Sequence, residues 1–248
     1  MRNAKHERLS VAVLLGSILI AFSVSASEFG YYGDIGPDFW RDLDPAWETC
    51  ENGTQQSPVD LWQQRVYPRL VTRYDDQTTG EIFNNGHTIE VEITEGNNTL
   101  TLDGTEYALA QFHFHTASEH RVEGRGYDME LHLVHTSAGG QIAVIGVFLK
   151  RGDATGALEP IFTNLPDIGE LNVKVALGFD FDPQQFLPSS GKHYRYSGSL
   201  TTPPCTEGVK WVVMKEPVTI LDEDLAQFAA RISFNARYTQ RMVPSHRK

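Results

Sequence analysis

The chain has 248 residues, of which 40% are hydrophobic and 21% are charged, the composition of a globular protein with enough chain to bury one sizeable core. Acidic residues outnumber basic residues by 32 to 21, giving a formal net charge of −11, and such a surface argues against a nucleic-acid partner and against binding to anionic membranes. No internal repeat, low-complexity tract or compositional break divides the chain, so we predict one folded domain.

The N-terminal stretch has the pattern of an export signal. A basic segment precedes an apolar run from Leu9 to Phe22, and small residues that end at Ala26 fit a signal peptidase site. An uncleaved membrane anchor is the alternative, although the run is short for a span of about 20 residues. We therefore predict a signal peptide over residues 1–26, a catalytic domain over 27–248 with no stable membrane anchor, and a periplasmic or secreted location.

Short runs of alternating polarity, punctuated by turn signals about every 8–12 residues, predict strands. In chain order these runs are Thr88–Thr94, Thr99–Leu102, Tyr107–Thr116, Met129–Thr136, Gln141–Leu149 and Val209–Met214. Helical patterns are few: a short one over Ala154–Thr163, and a better one over Asp222–Ile232 with Asp222 as the predicted N-cap. These elements predict a mainly β (α+β) domain with a few short surface helices.

Three histidines lie on two of these strands, two of them on one strand and one on the other. Because side chains alternate along a strand, Gln111, His113 and His115 point to one face of the first strand, and Glu130 and His132 share a face of the second. If the two strands are neighbours, the three imidazoles converge on one point. Three neutral nitrogen ligands leave a fourth tetrahedral position for water, which is the arrangement of a catalytic zinc site.

An amide and a carboxylate on the same faces support this interpretation. Imidazoles that bind zinc usually need a hydrogen-bond partner for the second ring nitrogen, and Gln111 and Glu130 are placed to supply two. Buried histidines with ordinary hydrogen bonds are the alternative. The spacing His113-x-His115-x-x-x-Glu119 also resembles the first metal motif of cupins, but Tyr107 replaces the required glycine and no second motif follows, so we discard that reading.

Ordered motifs through nearly all of the predicted mature chain resemble those of α-carbonic anhydrases. They are Gly30-Tyr31-Tyr32-Gly33, Gln56-Ser57-Pro58-Val59-Asp60, Asn84-Asn85-Gly86-His87, Gln111-Phe112-His113-Phe114-His115, Ser118-Glu119-His120, Glu130-Leu131-His132-Leu133-Val134-His135 and Tyr196-Ser197-Gly198-Ser199-Leu200-Thr201-Thr202-Pro203-Pro204. The compact turn from His115 to His120 resembles the bacterial branch. Two departures concern packing near the site: Phe29 stands where the family usually has tryptophan, and Thr116 replaces a tryptophan of animal members.

The resemblance implies a large, twisted, mostly antiparallel central sheet and the reversible hydration of carbon dioxide to bicarbonate by a zinc-bound hydroxide. It implies that His113, His115 and His132 bind Zn²⁺. It also implies that Thr201 accepts a hydrogen bond from the hydroxide while its own hydroxyl donates one to Glu119. That direction is consistent, because an ionised carboxylate can only accept hydrogen bonds.

The remaining site residues follow from the same resemblance. His87 matches the proton shuttle of the family, and an exposed imidazole with a pKa near 6.5 can relay protons to buffer. Carbon dioxide is apolar, so its pocket should be hydrophobic. The residues that match the pocket wall are Val134, Val144, Leu200, Thr202 and Trp211.

Cys50 and Cys205 are the two cysteines of the chain, and an even count in an exported protein predicts a disulfide, with two free buried thiols as the alternative. A bridge there could brace the loop that carries Thr201. Resemblance to bacterial members leaves a homodimer open. Two other functions are disfavoured. A catalytically silent carbonic-anhydrase-like module typically lacks a zinc-binding histidine, whereas all three are present here, and a zinc-buffering protein would show exposed His-rich tracts, which this sequence does not have.

Overall fold

A computed structural model describes residues 28–153 and 156–241. The predicted signal peptide over residues 1–26 lies outside the described residues. Within them, no helix is both long enough and apolar enough to cross a membrane.

Strands dominate the described chain, and the helices are short. The α-helices are α1 (Trp40–Leu43), α2 (Thr49–Asn52), α3 (Glu159–Phe162) and α4 (Asp222–Ala229), with single 3₁₀ turns at Gly33–Ile35, Pro45–Trp47 and Pro183–Phe186. The strands are β1 (Val66–Tyr67), β2 (Thr72–Arg73), β3 (Thr79–Asn84), β4 (Ile89–Glu95), β5 (Thr99–Leu102), β6 (Thr105–His115), β7 (Met129–Ser137), β8 (Ile142–Arg151), β9 (Val175–Ala176), β10 (His193–Ser199), β11 (Glu207–Met214) and β12 (Val218–Ile220).

These strands form one large mixed sheet in the order β1-β10-β11-β8-β7-β6-β4-β3-β9, with β12 beside β8, and β2 beside β5, which pairs with β6. Among the described strands, β8 runs parallel to β11 and β12, and the other pairings are antiparallel. The predicted fold class, a mostly antiparallel sheet with a few short helices, is confirmed.

The sheet packs a hydrophobic cluster on each of its faces. Phe112 and Phe114 of β6 belong to the larger cluster, together with the buried hydrophobic residues of α3 and α4. Val144 and Trp211 belong to the smaller cluster. Because side chains alternate along β6, the residues between its phenylalanines face the side of the smaller cluster, and this is where the candidate site lies.

Both predicted helices form, but their limits differ from the prediction. α4 begins at Asp222 as its first helical residue, so Asp222 is not the N-cap; Leu221 occupies that position without a side-chain cap, and acidic residues in the first turn complement the helix dipole instead. α3 covers Glu159–Phe162, with Pro160 in its first turn, where a missing N–H costs nothing. The predicted start of that helix at residue 154 lies outside the described residues.

Candidate metal centre

The three histidines predicted to bind zinc lie together. β6 and β7 are antiparallel neighbours, and their register places His113 directly opposite His132. One ring nitrogen from each of His113, His115 and His132 lies within 4.8 Å of the other two. The ring centroids are 4.6 to 5.3 Å apart.

Each of these rings is oriented by a hydrogen bond from one of its two nitrogens. The acceptors are Gln111 Oε1 for His113 Nδ1 at 2.8 Å, the Asn235 carbonyl for His115 Nδ1 at 2.8 Å, and Glu130 Oε1 for His132 Nε2 at 3.0 Å. One nitrogen per ring remains: Nε2 of His113 and His115, and Nδ1 of His132. Such outer partners fix the tautomer and the orientation of metal-binding imidazoles.

The donor set fits Zn²⁺. Burial lowers the pKa of all three imidazoles, that of His115 to about 4, so each ring is a neutral nitrogen donor at neutral pH. The Nε2 atom of His115 is buried and has no hydrogen-bond partner among the described residues, which is costly for a polar atom unless it has a ligand. Three neutral imidazoles with converging nitrogens are the ligand set of a catalytic zinc site.

A second group of potential ligands, His120 with Glu130 and His132, is a hydrogen-bonded chain. Glu130 Oε1 accepts from His120 Nδ1 at 2.7 Å as well as from His132, and Oε2 accepts the backbone N–H groups of Glu119 and His120. His120 Nε2 in turn accepts from the Tyr196 hydroxyl at 2.6 Å. Burial alone would raise the pKa of Glu130, but the two imidazoles outweigh it and hold that pKa well below its usual range. Glu130 is therefore a fixed anion behind His132.

Glu119 lies beside the three imidazoles and is completely buried. Its Oε1 atom accepts the backbone N–H of Arg237 at 2.8 Å, and its Oε2 atom is 3.6 Å from His115 Nε2. Burial raises the pKa of this carboxyl to about 7, against the opposing effects of His132, the Arg237 N–H and a hydrogen bond from the Thr201 hydroxyl. Thr201 and Glu119, far apart in sequence, are thus in contact.

His87 occupies a half-buried position in the turn between β3 and β4. Its ring stacks on Phe29, with centroids 3.8 Å apart and planes within 9° of parallel. Burial lowers the pKa of this imidazole. The Asn235 side-chain amide donates to the His87 carbonyl at 3.0 Å, so the residue that orients His115 also anchors the His87 turn.

The predicted pocket residues lie on the same side of the sheet as the three imidazoles. Val144 and Trp211 are buried in the smaller cluster, and Val134 and Leu200 pack against it. The Trp211 ring lies 4.9 Å from the His132 ring, which places this apolar surface next to the metal centre. Thr202 is half-buried at the adjoining turn.

The predicted disulfide between Cys50 and Cys205 is confirmed, and neither cysteine is free. The Cys205 N–H donates to the Thr202 carbonyl at 2.9 Å, and the Cys205 carbonyl accepts from Gln56 Nε2 at 3.1 Å. The bridge therefore anchors the turn that carries Thr201.

Two important contacts escaped sequence reasoning: the Asn235 carbonyl that holds His115, and the Arg237 N–H that holds Glu119. Both come from the segment after α4, which has no regular secondary structure up to residue 239. Backbone groups carry no residue-type signal, so no motif could have identified them.

Comparison with known proteins gives consistent matches. The family model described as eukaryotic-type carbonic anhydrase matches residues 35–248. A carbonic anhydrase of Klebsiella pneumoniae is 38% identical over 225 residues, covering 89% of this chain and 90% of that protein, and one of Nostoc is 39% identical over 219 residues, covering 86% and 82%. The α-carbonic anhydrase of Thermovibrio ammonificans, solved in complex with the inhibitor sulfanilamide, superposes with a TM-score of 0.81 at 40% identity, covering 88% of this chain and 97% of that one.

Proposed function

The chain belongs to the eukaryotic-type, or α, carbonic anhydrase family and is a carbonic anhydrase, and from this premise we propose that it hydrates carbon dioxide reversibly with Zn²⁺ held by His113, His115 and His132. The observation that carries the proposal is the convergence of one nitrogen from each ring, with the other nitrogen hydrogen-bonded. When bound there, Zn²⁺ supplies Lewis acidity that lowers the pKa of coordinated water to about 7, a value known from carbonic anhydrase itself.

Glu119 and Thr201 control where protons lie beside the metal. Positive charge within about 4–6 Å favours the ionised carboxylate, so cation binding lowers the pKa of Glu119 from the raised value caused by burial. An ionised Glu119 can only accept, so the Thr201 hydroxyl donates to it. The Thr201 oxygen then has only lone pairs to offer, so it accepts a hydrogen bond from the attacking solvent molecule and orients that molecule.

The apolar surface formed by Val134, Val144, Leu200 and Trp211 receives carbon dioxide, with Thr202 at its edge. A small apolar substrate offers no charge to grip, and these side chains exclude competing water from its place. Once the product forms, its negative charge makes the same surface a poor site, which favours release.

His87 relays the product proton to buffer. Its half-buried position on a turn leaves the ring partly accessible, and stacking on Phe29 defines one resting orientation. An unperturbed imidazole gains and loses a proton near neutral pH, and the lowering of this pKa by burial favours release of the proton to buffer.

Export to the periplasm or the exterior is also part of the proposal. It is supported by the signal-like sequence of residues 1–26 and by the Cys50–Cys205 disulfide, since such bonds persist in oxidising compartments. A homodimer remains a proposal that rests on resemblance to bacterial members alone.

The experiment is stopped-flow carbon dioxide hydration with parallel zinc analysis of the wild type, His132→Ala and the control His193→Gln. His193 is a buried histidine on β10 outside the three-imidazole cluster. We expect about one zinc per chain and fast hydration in the wild type and control, and loss of both in His132→Ala with an unchanged circular dichroism spectrum. Full zinc content and full activity in His132→Ala would refute the proposal.

A further inference from the structure

A cavity of about 390 Å³ opens beside the first half of β10, away from the metal centre. Its size lies in the range of small-molecule sites, about 300–1,000 Å³. The lining residues that matter here come from five parts of the chain: Tyr67, Asp103, Gln141, Arg195 with Ser197, and Lys210.

This cavity is on the sheet face opposite the three imidazoles. Lys210 and Val212 alternate along β11 with Trp211, whose ring contacts His132. Val212 belongs to the larger hydrophobic cluster, which also holds Phe112 and Phe114. Since alternate side chains point to opposite faces, Lys210 projects on the side of the larger cluster. Tyr196 and Trp211 also line the cavity, but by the same alternation their side chains lie on the face of the metal centre, so a ligand here would not contact the three imidazoles.

Arg195 is held rigidly at the cavity wall. Its Nε–H donates to His193 Nε2 at 2.8 Å, and the other nitrogen of that ring, Nδ1, donates to the Gly191 carbonyl at 2.9 Å. His193 is therefore a neutral acceptor whose tautomer suits Arg195. The guanidinium also stacks over the Tyr67 ring at 4.8 Å, and its Nη1 donates to Asp103 Oδ1 at 3.3 Å, while Nη2 has no hydrogen-bond partner among the described residues. Its planar donor group is thus pre-organised.

Lys210 supplies a second positive charge close by. β10 and β11 pair antiparallel with Ser197 opposite Lys210 and Arg195 opposite Val212, so Arg195 and Lys210 are diagonal neighbours, with Cα atoms roughly 7–8 Å apart. The Lys210 amine donates to Ser197 Oγ at 3.3 Å, and none of the ion pairs among the described residues involves Lys210. Although the chain has a net charge of −11, this lysine has no salt-bridge partner among the described residues, so its charge is available to a ligand.

The remaining polar groups add donors. The Tyr107 hydroxyl donates to Gln141 Oε1 at 3.4 Å, which occupies the carbonyl end of that amide and leaves its NH₂ group to donate. Asp103 is the acidic residue of the lining, and its side chain is 87% exposed and already paired with Arg195. Donors outnumber acceptors, so the complementary ligand accepts hydrogen bonds and carries negative charge.

We propose that this cavity is a binding site for a small oxyanion, a phosphate or phosphate-ester group, held by Arg195 and Lys210 with the Gln141 amide. The site is independent of the zinc chemistry, since the two lie on opposite faces of the sheet.

The test is isothermal titration calorimetry with inorganic phosphate and with phenyl phosphate, at about 0.15 M chloride, where charges more than about 8 Å apart are screened. The variants are Lys210→Gln and Arg195→Gln, with Lys174→Gln as the matched control, because it removes the same charge from an exposed lysine paired with Glu92 elsewhere. Each titration is run on zinc-loaded and on chelator-treated protein. Anion binding at the metal would be lost after chelation, whereas binding in this cavity would persist.

We expect one saturable site that survives chelation, weakened about tenfold by Lys210→Gln and by Arg195→Gln and unchanged in Lys174→Gln. Tighter binding of phenyl phosphate would identify an ester as the ligand, tighter binding of inorganic phosphate the free ion, and either supports the site. Lys210 is exposed, so its variant should fold even if Arg195→Gln does not. Equal affinities in Lys210→Gln and Lys174→Gln, or binding seen only with zinc present, would overturn the proposal.

Discussion

The disulfide between Cys50 and Cys205 should make a large contribution to stability. The two cysteines are separated by 155 residues, so the bond closes a loop that spans most of the described chain. Replacing both with alanine frees that loop in the unfolded state. Both cysteines are buried in a small cluster around Trp40, so the replacement also removes two packed sulfur atoms from the folded state.

The magnitude follows from the loop length. Chain-entropy arithmetic for a closed loop of this size gives about 5 kcal/mol, an upper figure because strain and residual structure usually reduce it. In a domain of this length each kcal/mol moves the melting temperature by about 2–4 °C. Cys50→Ala/Cys205→Ala should therefore melt roughly 10–20 °C below the wild type.

The assay is thermal and urea unfolding of four samples: wild type and double variant, each with and without dithiothreitol. Reduced wild type should fall to the stability of the variant, and the reductant should leave the variant unchanged. Carbon dioxide hydration, measured well below the melting temperature, should also fall, because the bridge anchors the turn that carries Thr201.

Equal melting temperatures for the wild type and the double variant would refute this reasoning. A large loss of stability with full activity would refute only the expected fall in carbon dioxide hydration. It would show that backbone hydrogen bonds alone hold the Thr201 turn.

The other predictions concern protons. His87→Ala should lower turnover in dilute buffer, with recovery on adding imidazole, as measured by stopped flow at several buffer concentrations; no buffer dependence would contradict the shuttle. Phe29→Ala should free the His87 ring from its stacked orientation and raise the pKa of that imidazole toward its usual value, measurable by NMR titration, since burial is the main cause of its lowering. Glu119→Gln should reduce hydration by about 10²-fold or more while zinc is retained, because an amide can donate to Thr201 and reverse its hydroxyl. Burial lowers the pKa of His135 to about 4, below its unfolded value of about 6.5, so its contribution to stability is present above pH 6.5 and lost as pH falls toward 4. His135→Gln should therefore flatten the pH dependence of the free energy of unfolding in urea, by up to about 3 kcal/mol across that window. An unchanged pH dependence would contradict this prediction.

Sequence reasoning reached the centre of the site because its residues lie on two strands with strict alternation. His113 and His115 were predicted to share one face of the first strand and His132 to lie on a face of the second, with convergence if the strands are neighbours. The strand limits were close, and the predicted strand Thr99–Leu102 coincides with β5. The partners Gln111 and Glu130 followed from the same two-residue period.

Groups that act through the backbone or from irregular segments could not be predicted in this way. The Asn235 carbonyl contacts His115 across 120 positions, and nothing in residue type distinguishes one carbonyl from another. The two-residue strands β1, β2 and β9 are too short to show a period, and they form because the sheet edge offers partners. The chain of hydrogen bonds from Glu130 through His120 to Tyr196 depends on tertiary contacts alone.

β6 presents phenyl rings to one side and imidazoles to the other, in the order Phe112, His113, Phe114, His115. A slip of one residue against β7 would place two imidazoles in the larger hydrophobic cluster and turn two phenyl rings toward the metal centre. Misaligned forms of the strand are therefore strongly disfavoured during folding. The alternation that builds the site also specifies the register of β6 against β7. For protein engineers, this makes β6 a poor place to seek added thermostability, since any repacking of Phe112 or Phe114 would shift the imidazoles on the reverse side.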